Sequence, residues 1–153
     1  FAHLCVMNRG NSTDISFAAG LLQDGKLVAI PTETVYGLAA NALNADAVLN
    51  IFEAKNRPHF DPLIVHVGSI QQAQQLTRQI SSEAQKLMES FWPGPLTIVL
   101  AKKEIIPHIV TSGMDTVGLR MPSHPLTLEL LAQLEFPLAA PSANRSPMML
   151  ELP

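Results

Sequence analysis

A three-layer α/β domain, with a mixed, twisted sheet flanked by helices, is the fold this chain predicts, and three observations predict it. Short continuous apolar runs of strand length alternate with stretches whose apolar residues recur at helical spacing. The 153 residues, 47% of them hydrophobic, supply one compact core and are too few to divide comfortably into two. The tight spacing of the strand-like runs near residues 96 to 121 suggests that part of the sheet pairs antiparallel. A single domain over residues 1–153 is expected.

The elements follow in order. Thr13 or Asp14 can cap a first helix whose residues Ile15, Ala18, Ala19 and Leu22 share a face, and Gly25 stops it. Residues 27–30 form a buried strand that ends at Pro31, and Thr32-Glu33-Thr34-Val35-Tyr36-Gly37 reads as a hydroxyl-rich turn. Asp46 opens a second helix with Ala47, Val48, Ile51 and Phe52 inward, delivering Lys55 and Arg57 at its C-terminal end. Residues 63–67 make a buried strand interrupted by His66, and residues 70–78 and 81–91 make two helices with Gln and Glu on their outer faces. Trp92-Pro93-Gly94-Pro95 ends the second of these. Strands over 96–101 and 116–121, a helix over 124–134 behind Pro125 and a short strand over 137–140 complete the pattern. The opening residues around Cys5 read as unstructured.

One local pattern occurs three times: an apolar strand, a proline, then a small hydroxyl residue, at Pro31-Thr32, Pro122-Ser123 and Pro141-Ser142. Proline donates no ladder hydrogen bond, so each strand is expected to stop there and present its hydroxyl at the sheet edge. Three such loops on one side of the sheet would converge on a crevice, where open α/β sheets bind ligands.

Composition excludes several classes. A net charge of −3 and a pI of 5.9 argue against a non-specific nucleic-acid surface. Cys5 is the lone cysteine, so there is no intrachain disulfide, and a reducing cytoplasm fits best. Residues 1–7 are apolar but lack a basic leader, and no run reaches the roughly 20 apolar residues of a membrane span. Phe1 in place of Met suggests a trimmed chain. The five histidines show no metal-ligand spacing, and there is no phosphate-cradling glycine loop or nucleophile elbow.

The polar residues that remain admit two readings each. Lys55 and Arg57 either complement the negative end of a helix dipole or grip a phosphate or carboxylate. Ser142 and Asn144 form either a polar turn or one wall of a site. Thr32, Glu33, Thr34 and Tyr36 crowd a short segment more densely than a plain turn needs. His66 is either a satisfied core histidine or a partner for a small polar substrate, and Arg120, inside a strand, must find an anion or several carbonyls.

Taken together, Pro31-Thr-Glu-Thr-Val-Tyr-Gly-Leu38, Lys55-Asn-Arg-Pro58, Pro62-Leu-Ile-Val-His66, Phe91-Trp-Pro-Gly-Pro-Leu-Thr97, Arg120-Met-Pro122 and Pro141-Ser-Ala-Asn144 closely resemble the YrdC/Sua5 family over roughly residues 14 to 146. The resemblance implies a YrdC/RibB-like domain and a threonylcarbamoyl-AMP synthase, a nucleotidyltransferase. Such an enzyme turns L-threonine, bicarbonate and ATP into threonylcarbamoyl-adenylate and pyrophosphate, for threonylcarbamoyladenosine modification of tRNA. It also implies roles. Lys55, Arg57, Ser142 and Asn144 would hold the nucleotide phosphates and the reacting adenylate. Thr34, His66 and Arg120 would bind L-threonine, and Thr116 would be a further nucleotide contact. Asp61 stands at another ATP-binding position, where the family commonly has Asn. Mg²⁺ would accompany ATP, with no metal site of the protein's own. The implied partners are the substrates, tRNA or double-stranded RNA, and the downstream proteins that transfer the threonylcarbamoyl group to tRNA. After Asn144 the chain departs from the family's usual Ser-Gly and Ser-Pro-Thr segment, so the domain is expected to lack its final C-terminal strands. Two alternatives accompany this reading: a non-catalytic RNA-binding YrdC-like module, and a carbamoyltransferase domain that uses a carbamoyl-adenylate, as in hydrogenase maturation proteins.

Overall fold

The computed structural model describes residues 4–6, 12–31, 36–55, 61–141 and 149–151. Five helices and eight strands occur among them, the strands in one mixed sheet of order β1-β2-β3-β7-β4-β6-β5-β8.

The chain opens on β1 (Leu4–Val6), which lies parallel to β2, so the segment around Cys5 is a sheet edge and not unstructured. Helix α1 (Ser12–Gln23) buries Ile15, Ala18, Ala19 and Leu22 as their spacing predicts, but it begins at Ser12, which puts Thr13 and Asp14 inside its first turn. Its end is a left-handed glycine, Gly25 (φ 79°). Lys26 N–H bonds to Leu21 C=O at 2.9 Å and Gly25 N–H to Leu22 C=O at 3.1 Å, closing the last turn.

Strands β2 (Leu27–Pro31) and β3 (Tyr36–Asn41) form an antiparallel hairpin in which Pro31 faces Tyr36. The turn expected over residues 32–37 gives way at Tyr36 to β3, a strand the sequence reading does not name. Gly37, Ala39 and Ala40 are poor strand formers by themselves, and it is pairing on both sides, with β2 and β7, that holds them extended. Helix α2 (Ala45–Ala54) is capped by Asn44, whose side-chain oxygen accepts from Asp46 N–H at 3.1 Å and Ala47 N–H at 3.2 Å. Asp46 therefore sits in the first turn, one step inside the expected start.

Strand β4 (Ile64–His66) is followed by α3 (Ile70–Leu76) and α4 (Ser82–Phe91), with Ser69 and Ser81 as their caps. The strands β5 (Thr97–Ala101) and β6 (Thr116–Arg120) pair antiparallel, as their spacing suggests. Helix α5 (Pro125–Ala132), β7 (Leu138–Ala140) and β8 (Met149–Glu151) finish the fold; β8 runs parallel to β5.

Alternation along the strands sorts the side chains into two cores. On one face, Val65, Ile98, Leu100, Val117, Leu119 and Ala139 pack with the buried sides of α2, α3 and α4. On the other, Val28, Ile30, Ala39, Leu138 and Ala140 pack with α1 and α5. This second layer stops at β7. Among the described residues no helix packs on the same face of β4, β6 and β5; on it Ile64, His66 and Thr97 are buried, while Val99, Ala101, Thr116, Gly118 and Arg120 keep some exposure and form a part-open floor.

Strand directions correct one expectation. β2 and β7 are both antiparallel to β3, whereas β4 and β6 are antiparallel to β7, so β6 runs opposite to β2 and β7. Pro31 and Pro141 lie at one end of the sheet, here the near end, and Pro122 leaves from the far end. Only two of the three proline-hydroxyl loops share an edge.

Candidate active site

The open floor takes its side chains from alternate residues of three strands. On β6, Thr116, Gly118 and Arg120 are part exposed while Val117 and Leu119 between them are buried. His66 on β4 is the register partner of Arg120 on one side and of Leu138 on the other. The imidazole and the guanidinium therefore share one face of neighbouring strands, about 5 Å apart in backbone spacing. Thr116 lies four residues away along the same strand face, about 13 Å toward the near end.

His66 is 3% exposed, and its Nδ1 is a buried polar atom without a hydrogen-bond partner among the described residues. Burial lowers its pKa to about 4; the backbone groups of Ile64 and Leu138 favour the charged form but do not offset the lost hydration. The ring is thus neutral at pH 7, and an unsatisfied nitrogen in so dry a place invites a small polar ligand. Arg120 is half-buried, and burial lowers its pKa from the ordinary guanidinium value. It stays cationic, as guanidinium groups do in proteins. Its Nε–H donates to the carbonyl of Gly94 at 3.0 Å.

Gly118 forms the middle of the floor. A Cβ there would meet Ile64 Cδ1 and Thr97 Cγ2, each at 3.1 Å, so the side chains of the flanking strands close over the glycine. Its signal in the sequence is a glycine inside an apolar strand, a mark of close approach.

The near end gathers other candidates. The loop from Lys102 to Asp115 is held at its base by Lys102 N–H to Asp115 C=O at 2.8 Å. Lys102 is itself buried, and its Nζ donates to Ile106 C=O at 3.0 Å. The loop is tied to the start of β4 by Leu63 N–H to Val110 C=O at 2.9 Å. Asp61, just before Leu63, and Thr116, just after Asp115, consequently stand at the same end of the sheet. Helix α2 starts beside Gly25, where an added Cβ would meet Asn44 Nδ2 at 3.3 Å, and its ten residues return the chain by about 15 Å. Lys55 is the exposed C-cap, complementing the helix dipole where α2 reaches the near end.

Of the predicted site residues, the structure brings His66 and Arg120 together and sets Asp61 and Thr116 at one end of the same half-sheet. Lys55 ends a helix packed on the other face of the sheet and stands where that helix returns to the near end. Thr34, Arg57, Ser142 and Asn144 lie outside the described residues, although their neighbours Pro31, Lys55 and Pro141 are described. Sequence reasoning missed Gly118 and the part played by Gly94, because both depend on what another strand or turn brings against them.

Residues 20–151 match the family model Sua5/YciO/YrdC, described as telomere recombination. The chain belongs to this family. It is 53% identical over 141 residues to the threonylcarbamoyl-AMP synthase of Pyrococcus abyssi, covering 92% of this chain and 42% of that protein. With the threonylcarbamoyl-AMP synthase of Bacillus subtilis it shares 51% identity over 137 residues, 89% of this chain and 40% of that one. The crystal structure of Pyrococcus abyssi Sua5 complexed with L-threonine superposes with a TM-score of 0.87 at 51% identity, over 95% of this chain and 43% of that chain. The chain thus spans about two-fifths of the length of these relatives. Among the described residues no helix is long and apolar enough to cross a membrane, and no group of three or more His, Cys, Asp or Glu could hold a metal ion.

Proposed function

We propose that this chain carries the adenylate-forming domain of a threonylcarbamoyl-AMP synthase. One observation carries the reading: in a chain half identical to such synthases, β4 and β6 pair a buried His66 with a half-buried Arg120 on one sheet face, the histidine with a nitrogen unsatisfied among the described residues. A guanidinium suits the carboxylate of L-threonine and a neutral imidazole suits its hydroxyl. Thr34 completes the amino-acid half of the site in this proposal. Thr116 and Asp61, with Lys55, Arg57, Ser142 and Asn144, serve the nucleotide half at the near end.

The chemistry asks little of the protein in proton transfer. The amine of threonine combines with bicarbonate, losing water, to give a carbamate that is already ionised. One carbamate oxygen attacks the α-phosphorus of ATP, the bond from that phosphorus to the bridging oxygen breaks, and pyrophosphate leaves with the electron pair. Two anions meet, so the residues' work is to align them and offset repulsion, and Lys55 and Arg57 supply the positive charge. Arg120 anchors the carboxylate, and because the carbamate sits on the same Cα, the α-phosphorus must lie within about 3–3.5 Å of the carbamate oxygen beside it; Thr116, about 13 Å along the strand from Arg120, serves a more distant part of the nucleotide. Asp61 offers one carboxylate beside the triphosphate. That is a donor set Mg²⁺ accepts, since it keeps several waters and rides on substrate phosphates.

The product would be consumed in tRNA modification, and the reading of residues 1–153 as one YrdC-like domain belongs to the same proposal. Pyrophosphate release from ATP, measured with and without L-threonine and bicarbonate, tests it. Release that depends on both substrates and is abolished by Lys55→Ala or Arg57→Ala is expected. Near-normal turnover in either variant overturns the assignment, and salt-sensitive RNA binding without turnover would favour the binding module instead.

A further inference from the structure

Between α4 and β5 the chain makes a tight turn over residues 92–96 that is held at Trp92, Gly94 and Leu96. Trp92 N–H bonds to Met88 C=O at 2.9 Å and ends the helix, and Trp92 Nε1–H reaches forward to Leu96 C=O at 2.8 Å. Between these, Gly94 makes two bonds to the last residues of the β6 region. Its N–H donates to Met121 C=O at 2.8 Å, and its carbonyl accepts from Arg120 Nε–H at 3.0 Å. The turn and the end of the strand are thus locked to each other in both directions.

Gly94 is required here by space, not by backbone angle. It is absent from the positive-φ glycines, Gly25 and Gly113, yet a Cβ added to it would lie 2.5 Å from Phe91 C=O, inside any tolerable contact with a backbone atom. Any side chain at 94 must therefore push the turn outward, and the acceptor of the Arg120 bond moves with it. A bond at Nε sets both the plane and the roll of a guanidinium, and hence the direction in which its terminal nitrogens present paired donors.

We propose that Gly94 is a positioning residue for Arg120: its carbonyl, held by the 92–96 turn, aims the guanidinium along the open floor so that it meets an amino-acid carboxylate in bidentate geometry. This rests on the reading above in which Arg120 receives the carboxylate of L-threonine. The turn thereby serves the amino-acid half of the site and leaves the nucleotide half untouched.

Titration calorimetry and initial-rate kinetics on Gly94→Ala test the proposal. The expected result is a rise of about tenfold or more in the Kd and KM for L-threonine, with kcat at saturating threonine and the Kd for ATP within about twofold of wild type. Trp92→Phe, which removes the bond closing the turn while keeping its backbone, should give a smaller loss in the same direction and keeps the test open if Gly94→Ala does not fold. A second measurement is independent of ligand: the Arg120 Nε–H resonance, identified by its loss in Arg120→Lys, should exchange slowly with solvent in the wild type and fast in Gly94→Ala. Unchanged threonine affinity in a folded Gly94→Ala, equal losses for threonine and ATP, or unaltered Nε–H exchange would overturn the proposal. If the wild type binds no threonine, the functional reading falls, and the exchange measurement still decides whether Gly94 holds Arg120.

Discussion

Protonation of His66 should make this fold acid-sensitive by an amount that can be worked out beforehand. Burial holds the folded-state pKa at about 4, against 6.5 for the exposed ring. The folded value lies below the unfolded one, so the unfolded chain binds the proton first. The stability contributed by the neutral ring is complete above about pH 6.5 and is lost as the pH falls through that value toward 4. Each pKa unit is worth about 1.4 kcal/mol, so the full effect is about 3 kcal/mol, of which about 2 kcal/mol disappears between pH 7 and pH 5. That is a large share of the 5–15 kcal/mol typical of a domain. The assay is urea unfolding at pH 7, 6 and 5 on the wild type and on His66→Gln, whose amide does not titrate. The wild type should lose about 2 kcal/mol more than the variant over this range, the common loss from carboxylates cancelling in the comparison. Parallel losses in the two proteins, or an imidazole resonance of His66 that titrates near 6.5 in the folded state, would refute the reasoning.

Two further outcomes test the frame of the site. Gly118→Ala puts a methyl 3.1 Å from both Ile64 Cδ1 and Thr97 Cγ2. Since both neighbours are side-chain ends that can give, melting should move by only a few degrees while ligand affinity on the raised floor falls several-fold, measured by calorimetry with L-threonine and ATP. Asn44→Ala removes the cap that accepts from Asp46 N–H and Ala47 N–H and should cost about 1 kcal/mol in urea unfolding, because α2 loses the only side-chain acceptor described at its start.

Much of the architecture was legible because it follows from local periodicity. The inward residues of α1 and α2 were named correctly from spacing alone, since a helix buries whatever recurs along one of its faces. The antiparallel pairing of β5 with β6 agrees with the tight spacing of their two apolar runs, between which the sequence shows no amphipathic helix. β3 escaped notice because Tyr36-Gly-Leu-Ala-Ala-Asn41 has little strand character of its own, and β1 and β8, of three residues each, are extended only because a neighbour pairs with them.

The candidate site divides in the same way. Residue types and motif order, from Lys55-Asn-Arg57 to Pro141-Ser-Ala-Asn144, identified the family and nominated the polar residues, because side-chain chemistry is a property of the residue itself. Which nominees meet is another matter. His66 and Arg120 are 54 positions apart, and only the parallel register of β4 with β6 makes them neighbours. Strand direction, invisible in the motif, sends Pro122-Ser123 away from the edge shared by Pro31 and Pro141. The sequence by itself determined the chemistry on offer and the helices that carry the core. The tertiary structure alone decided which face stays open, which ring is too dry to take a proton and which carbonyl aims the arginine, because burial and strand register are set by contacts between segments distant along the chain.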